Sequence, residues 1–140
     1  MPHFGSRSLA NLATCHADAQ IIMSLVIEEF DCSIVEGHRP QALQDDYFAR
    51  GLSKVRTGKH NLTPSMAWHA LPYFATKPHV DWNHRESMQH LAGYIRATAF
   101  GLLMAGHITH TVRWGGDWDR DFDVRETQWD DFAHYELEKP

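Results

Sequence analysis

Cysteine is scarce in this chain. Cys15 and Cys32 are the only two among 140 residues, and they do not form a CxxC pair. Cys15 falls in a helical pattern and Cys32 in a strand pattern, which favours two buried free thiols over a disulfide bond. We therefore expect a hydrophobic core, and not covalent cross-links, to hold the fold together.

Long apolar runs are lacking as well. The longest apolar stretch covers residues 97–105 and is too short to span a bilayer. No basic N-terminal segment precedes a long apolar run, so no signal peptide is apparent. We expect a protein that is made in the cytoplasm, has no membrane partner, and reaches any target outside the cytoplasm by a separate route.

An excess of positive charge is also missing. The chain has 13 Lys and Arg against 18 Asp and Glu, which gives a formal net charge of −5. This balance argues against nucleic acid or an anionic membrane as the main partner. Hydrophobic residues make up 43% and charged residues 22% of the sequence, as in ordinary globular proteins. The length predicts a single domain over residues 1–140.

Hydrophobic periodicity predicts two long helices and several short strands. The predicted elements are an amphipathic helix over residues 8–29, a strand over 30–36, a short helix over 40–50 that ends at Gly51, a mostly irregular segment over 53–78 with a strand at 66–71, a helix over 83–106 capped by Asn83 and closed by Gly106, a strand over 108–114, an acidic loop over 115–128, and a strand over 134–137. Two long helices packed on a small, mostly antiparallel sheet make an α+β fold.

Histidine is abundant, with eleven in the chain. A catalytic zinc site needs about three protein ligands and one open position, together with a carboxylate that can accept a proton from water. His60, His69 and His134 are candidate ligands, and Asp131, three residues before His134, is a candidate base. The residues alone leave open whether these histidines bind a metal or are merely solvent-exposed or hydrogen-bonded.

An ordered set of short motifs extends over nearly the whole chain. The motifs are VEGHR at 35–39 with Gln44, GLSK at 51–54, KHN at 59–61, PSMA at 64–67, VDW at 80–82, RWGGDW at 113–118 and DFAHYEL at 131–137. The set resembles the phage L-alanyl-D-glutamate endopeptidases, which are relatives of the zinc D-alanyl-D-alanine carboxypeptidases. The resemblance implies the fold of the Hedgehog and D-Ala-D-Ala peptidases.

The resemblance also implies roles for individual residues. The family's zinc ligands match His60, His69 and His134, its catalytic base matches Asp131, and the arginine that polarises the scissile carbonyl matches Arg39. One position departs from the family, because His69 stands where the family usually has Asp. Imidazole is a good zinc ligand, so we expect His69 to bind the metal; the alternative is that it points elsewhere and impairs the site.

The implied function is zinc-dependent cleavage of the L-alanyl-D-glutamate bond in peptidoglycan stem peptides, as in an endolysin, by a monomer whose partner is bacterial peptidoglycan. The alternatives are a D-alanyl-D-alanine carboxypeptidase, or a catalytically impaired wall-binding or phage structural protein on the same fold.

Three further features keep more than one interpretation. Asp117, Asp119, Asp121 and Asp123, with Gln128, resemble a calcium loop but lack its central glycine, so a solvated acidic loop competes with a Ca²⁺ site. Trp114, Trp118 and Trp129 are candidate core residues or cleft walls. Glu136 either supports a metal ligand or ends its strand in water, and for Gln44 the alternative is that it only faces solvent from its helix.

Overall fold

The computed structural model describes residues 1–125 and 130–140. Its elements are α1 (Ser6–Ala13), α2 (Ala17–Val26), β1 (Cys32–Glu36), α3 (Gln41–Ala49), a short 3₁₀ helix (Lys59–Asn61), β2 (Ala67–Pro72), α4 (Arg85–Met104), β3 (Thr111–Gly115) and β4 (Asp131–Glu138). The strands form an antiparallel sheet in the order β1-β2-β4-β3. The α+β architecture expected from the sequence is confirmed.

Helix α4 covers one face of this sheet, and α2 packs against α4. Trp68 of β2 and Tyr135 of β4 are fully buried, and their rings stack with centroids 5.7 Å apart. Helix α4 contacts β2, β3, β4 and α2, and contributes the buried Leu91 and Ile95. Because side chains alternate along a strand, the residues next to Trp68 and Tyr135 point to the opposite face. That opposite face is where the candidate site lies.

The prediction of one helix over residues 8–29 is wrong, because the chain breaks between α1 and α2. At the break, the backbone of residues 14–16 pairs with the loop before β2: His16 N–H donates to the Ser65 carbonyl at 2.9 Å, and Ser65 N–H donates to the Thr14 carbonyl at 2.9 Å. The side chain of His16 then caps α2 by accepting from Asp18 N–H at 3.0 Å. Tertiary pairing and a new cap outweigh the continuous apolar pattern.

Other element ends differ from the predictions by a few residues. The N-cap of α4 is His84, whose Nδ1 accepts from Ser87 N–H at 3.3 Å, and not Asn83. Strand β4 is longer than predicted and β3 starts later, since pairing with both neighbours sets the length of β4. The two predicted helix-ending glycines are confirmed: Gly51 and Gly106 follow α3 and α4 with φ of 73° and 78°.

Two glycine contacts fix strand ends beside the site. A Cβ atom on Gly115 would lie 2.2 Å from the Asp131 carbonyl, and one on Gly37 would lie 2.3 Å from the Asn11 carbonyl. Only glycine allows these close approaches.

Both cysteines are buried and free, as expected. Within the described residues, helices long and apolar enough to cross a membrane are absent.

Candidate metal centre

Three histidines lie together on the face of the sheet opposite the helices. His69 of β2 pairs directly with His134 of β4, so both side chains leave the sheet on the same side. The ring centroid of His60 lies 4.7 Å from that of His69 and 5.1 Å from that of His134. The centroids of His69 and His134 are 5.4 Å apart. The structure thus brings all three candidate ligands into one cluster.

The 3₁₀ helix that carries His60 is tied to the end of β1. Asn61 closes the turn by accepting from Gly58 N–H at 2.8 Å, and its amide donates to the Arg39 carbonyl at 2.9 Å. Arg39 N–H in turn donates to the His60 carbonyl at 2.8 Å. These bonds place the His60 ring over the sheet although the segment has little regular structure.

The environment of His60 selects its protonation state. Its Nδ1 lies 2.8 Å from the Gly37 carbonyl, which can only accept, so Nδ1 carries the proton and Nε2 has a free lone pair. This Nε2 is buried and has no hydrogen-bond partner in the part of the chain that the structure describes. Burial, followed by the nearby His134, lowers the pKa of His60 to about 3. The ring is neutral near pH 7 and available as a ligand.

Glu136 plays the corresponding part for His134. Its carboxylate is buried, accepts from Arg113 Nε at 2.7 Å, and lies 3.5 Å from His134 Nε2. Burial opposes ionisation of Glu136, but contacts with His134 and Arg113 prevail and lower its pKa to about 2. An ionised carboxylate beside Nε2 favours a proton there and leaves the lone pair on Nδ1, which faces His69 Nε2 at 3.3 Å. Of the two interpretations of Glu136, the structure favours support of His134.

The spacing of these donor atoms suits a metal ion. With Zn–N bonds of about 2.0–2.1 Å in tetrahedral geometry, two ligand atoms lie roughly 3.3 Å apart, which matches the distance of 3.3 Å between His69 Nε2 and His134 Nδ1. One ligand atom from each of the three histidines lies within 4.8 Å of the others. Burial, followed by the nearby His60 and His134, also lowers the pKa of His69 well below its usual value. Three imidazoles in this arrangement can hold a metal ion.

Asp131 borders the cluster at the start of β4. Its Oδ2 lies 3.6 Å from His69 Nε2, and its side chain is 44% exposed. Burial of the rest of the carboxyl group raises the pKa of Asp131. A carboxylate next to the ligand atoms and open to solvent has the position that a base needs.

Arg39 is held at the edge of the cluster and does not project into solvent. Its guanidinium makes a two-point ion pair with Glu36, with Nε donating to Oε2 at 3.1 Å, and it donates to Gln44 at 2.9 Å. Gln44 is buried, so the solvent-facing alternative for this residue is wrong. The positive charge of Arg39 contributes to the low pKa of His60 and His69.

Two tryptophans flank the histidines. Trp118 lies 5.2 Å from His134 and Trp82 lies 6.3 Å from His69, measured between ring centroids. Trp82 is 53% exposed and borders a cavity of about 280 Å³ that Asp131 and Arg85 also line. Of the predicted wall or core residues, Trp118 is at the site, Trp114 is in the core, and Trp129 lies outside the described residues.

Sequence reasoning missed two residues of this site, Glu36 and Trp82. Both belong to motifs that carried the resemblance, but neither was assigned a role. Their signal in the sequence is their place within the motifs VEGHR and VDW, and this does not indicate which way a side chain points.

The acidic loop after β3 remains a calcium candidate only as a prediction. Carboxylate oxygens of Asp117, Asp119 and Asp121 lie within 4.8 Å of one another. However, Asp117 already accepts from Arg96 at 2.8 Å, and Asp123 from Arg125 at 2.8 Å. Gln128, the proposed last ligand, lies outside the described residues.

A second group, His16, Asp18 and His110, serves the fold. Asp18 Oδ2 accepts from His110 Nδ1 at 2.7 Å and from Thr109 N–H at 2.9 Å. The Nδ1 of His16 accepts from the backbone of α2, so its proton is on Nε2 and that atom is not a ligand. This cluster therefore ties the start of α2 to the segment before β3.

Comparisons with known proteins identify related chains. A crystal structure of the Serratia marcescens L-Ala D-Glu endopeptidase ChiX superposes with a TM-score of 0.75, is 23% identical, and covers 98% of this chain and 91% of its own. Curated protein sequences yield no match. The family model for the phage L-alanyl-D-glutamate peptidases matches residues 1–138. The resemblance seen in the sequence is thus confirmed, and the chain belongs to the family of phage L-alanyl-D-glutamate peptidases.

Proposed function

We propose that this chain is a zinc-dependent peptidoglycan peptidase that cleaves the L-alanyl-D-glutamate bond of the stem peptide, in the manner of an endolysin. The observation that carries the proposal is the convergence of one ring nitrogen from each of His60, His69 and His134 beside Asp131, in a member of a peptidase family. A single domain over residues 1–140, a monomeric state and action on the cell wall after release by a separate route are parts of the same proposal.

The donor set fits zinc. His60, His69 and His134 would hold the ion, because neutral imidazoles are preferred zinc ligands and three of them leave one position open. A zinc ion in this place supplies Lewis-acid polarisation of a carbonyl and acidification of water.

The protein's own groups would manage the proton and the substrate. Asp131 Oδ2 accepts the proton of the attacking water and later delivers it to the leaving amine. Arg39 stabilises the negative charge that develops on the carbonyl oxygen. Its anchoring by Glu36 and Gln44 keeps the charge in place.

The cavity that Trp82 and Asp131 line suits part of an extended peptide. Trp82 offers apolar contact for short side chains, and Arg85, whose charge is paired with that of Asp130 at 3.2 Å, offers N–H donors beside Asp131. The stem peptide is rich in carboxylates, which are acceptors for such guanidinium donors.

Purified sacculi provide the test. The parent protein should reduce turbidity, a zinc chelator should stop it, and the products should carry new amino-terminal D-glutamate. His134→Ala should be inactive, whereas His107→Ala, which removes an exposed imidazole outside the cluster, should match the parent. Release of free D-alanine would assign carboxypeptidase activity instead. Wall binding without cleavage would support the impaired-protein alternative.

A further inference from the structure

We propose that Glu36 is a positioning residue for His69: its carboxylate accepts the ring proton at Nδ1 and so keeps the Nε2 lone pair for the metal. The inference rests on the proposed zinc-dependent function and adds a specific requirement to it. The requirement arises because this chain has an imidazole where its family usually has an aspartate.

The sheet places Glu36 directly beside His69. Glu36 is the last residue of β1 and pairs with His69 across the β1–β2 ladder, where the register shifts between Ile34 and Glu36. Its Oε1 lies 3.7 Å from His69 Nδ1. The other nitrogen of the ring, Nε2, lies 3.3 Å from His134 Nδ1 and 3.6 Å from Asp131 Oδ2. The two nitrogens of His69 therefore face different partners.

A positive charge next to His69 Nε2 is favourable for the two groups that face this nitrogen. The Nδ1 lone pair of His134 and the carboxylate of Asp131 both attract positive charge, which either a proton or a metal ion supplies. When a metal ion takes this position, the ring proton must move to Nδ1. An ionised carboxylate facing Nδ1 stabilises that form of the ring, as carboxylates do for histidine ligands generally.

Glu36 is itself fixed in place. Arg39 holds it by a two-point ion pair, and its side chain is only 21% exposed. Gln44 holds Arg39 from the other side and is anchored by bonds to Ser53 and Val55, each at 2.8 Å. A carboxylate held in this way loses little entropy when it orients a neighbour.

An acceptor then lies near the second ring nitrogen of each ligand: the Gly37 carbonyl 2.8 Å from His60 Nδ1, Glu36 3.7 Å from His69 Nδ1 and Glu136 3.5 Å from His134 Nε2. An aspartate at position 69 would have no ring proton to place and would need no such acceptor. Glu36 Oε1 also lies 3.7 Å from His60 Nε2, which adds a general attraction for a cation independent of His69.

A double-mutant cycle separates these two effects. Zinc affinity is measured on metal-free protein by competition with a chromophoric chelator, for the parent, Glu36→Gln, His69→Asp and the double variant, with melting temperatures to verify folding. We expect Glu36→Gln to weaken zinc binding about 10–100-fold in the parent and to cost less than about 3-fold in the His69→Asp background.

Two control variants test whether zinc affinity changes for reasons other than the contact between Glu36 and His69. Glu138→Gln removes a carboxylate on β4 that contacts Arg113 and Lys59, and it should leave zinc affinity within about 3-fold of the parent. Arg39→Met removes the partner of Glu36 but keeps its carboxylate, so it should weaken zinc binding less than Glu36→Gln does.

The outcomes distinguish this inference from the proposed function. If Glu36→Gln weakens zinc binding equally in the parent and in the His69→Asp variant, Glu36 acts as a direct ligand or through the fold. That result would overturn the inference. If the parent binds zinc and Glu36→Gln binds it with the same affinity, the inference is overturned and the proposed function is not. A parent that binds no zinc would overturn the proposed function together with it.

Discussion

Asp131 and its neighbour Asp130 show how strongly position decides the role of a carboxylate. Asp131 Oδ2 lies 3.6 Å from a candidate ligand atom, His69 Nε2, whereas Asp130 pairs with Arg85 at 3.2 Å. The two residues are adjacent in sequence and border the same cavity, but Asp130 precedes β4 and its carboxylate is held by Arg85. Of the two, Asp131 is the one placed to receive a proton from a group held by the three histidines.

Asp131→Asn should keep the fold and the zinc content but lose most of the rate, because an amide cannot accept a proton from water. Loss of a general base costs about 10²–10⁴-fold. The measurement is the initial rate of turbidity loss on sacculi, with zinc quantified in the same preparation. Asp130→Asn is the matched control and should stay near the parent rate. An Asp131→Asn variant as fast as its control would remove Asp131 from the mechanism.

His69→Asp introduces the family's usual residue and tests whether the histidine is productive. The parent should be active and the variant should remain a zinc-binding enzyme. Because a carboxylate lowers the net charge of the site by one, protons leave it less readily, and the rising limb of the pH–rate profile should move to higher pH. A nearly inert parent with a gain of orders of magnitude in the variant would instead show that His69 disables the site.

At the level of elements, the attachment of α2 to the segment before β3 depends on one buried carboxylate. Asp18 in the first turn of α2 accepts from Thr109 N–H, His110 N–H and His110 Nδ1 at 2.9, 3.1 and 2.7 Å. Burial opposes its ionisation, but the hydrogen bonds from His110 and Thr109 prevail and lower the pKa of Asp18. The charged carboxylate thus fastens α2 to the segment that leads into β3.

Asp18→Asn should lower the free energy of unfolding by about 1–3 kcal/mol at pH 7, the cost of losing hydrogen bonds to a charged group. Because the pKa of Asp18 is lower in the folded protein, its contribution is present above about pH 3.9 and is lost as the pH falls through the folded value. Urea unfolding at pH 7 and pH 3 should therefore show a smaller deficit in acid. Asp46→Asn, on an exposed pair with Arg50, should be close to neutral at both pH values. A deficit of equal size at the two pH values would contradict the role of the charge.

The elements themselves were largely predictable from the sequence. Apolar periodicity located α4 and the strands, and Gly51 and Gly106 marked helix ends because a positive φ favours glycine. The break at residues 14–16 was not predictable, because its cause is pairing with Ser65, about fifty positions away. Periodicity reports which face of a helix is apolar and carries no information on a distant backbone that competes for its hydrogen bonds.

The site was predictable to the extent that motif resemblance names residues. His60, His69, His134 and Asp131 were named from the sequence, and the structure brings them together. Glu36 was assigned no role because its position depends on the β1–β2 register, which shifts just before it. A shift of one residue moves a side chain to the other face of a sheet, and no local pattern specifies it.

At the scale of the whole molecule, the three histidines join segments that are far apart in the chain. His60 lies in the irregular stretch after α3, His69 in β2 and His134 in the C-terminal strand. A ligand that binds all three only when the chain is folded must stabilise the folded state by RT ln(1 + [L]/Kd). Metal content and global stability are therefore linked if the cluster is the zinc site.

Zinc at about a hundred times its Kd should add roughly 2.7 kcal/mol to the free energy of unfolding, which corresponds to an increase of about 10 °C in Tm for a chain of this length. Thermal unfolding of metal-free protein with and without added zinc measures the shift. His60→Ala should lose it, because one of three ligands is gone and the other two do not retain the ion. The control His107→Ala should keep the full shift, since that exposed residue lies outside the cluster. A shift of the same size in His60→Ala would place the zinc elsewhere in the molecule and would separate the histidine cluster from metal binding.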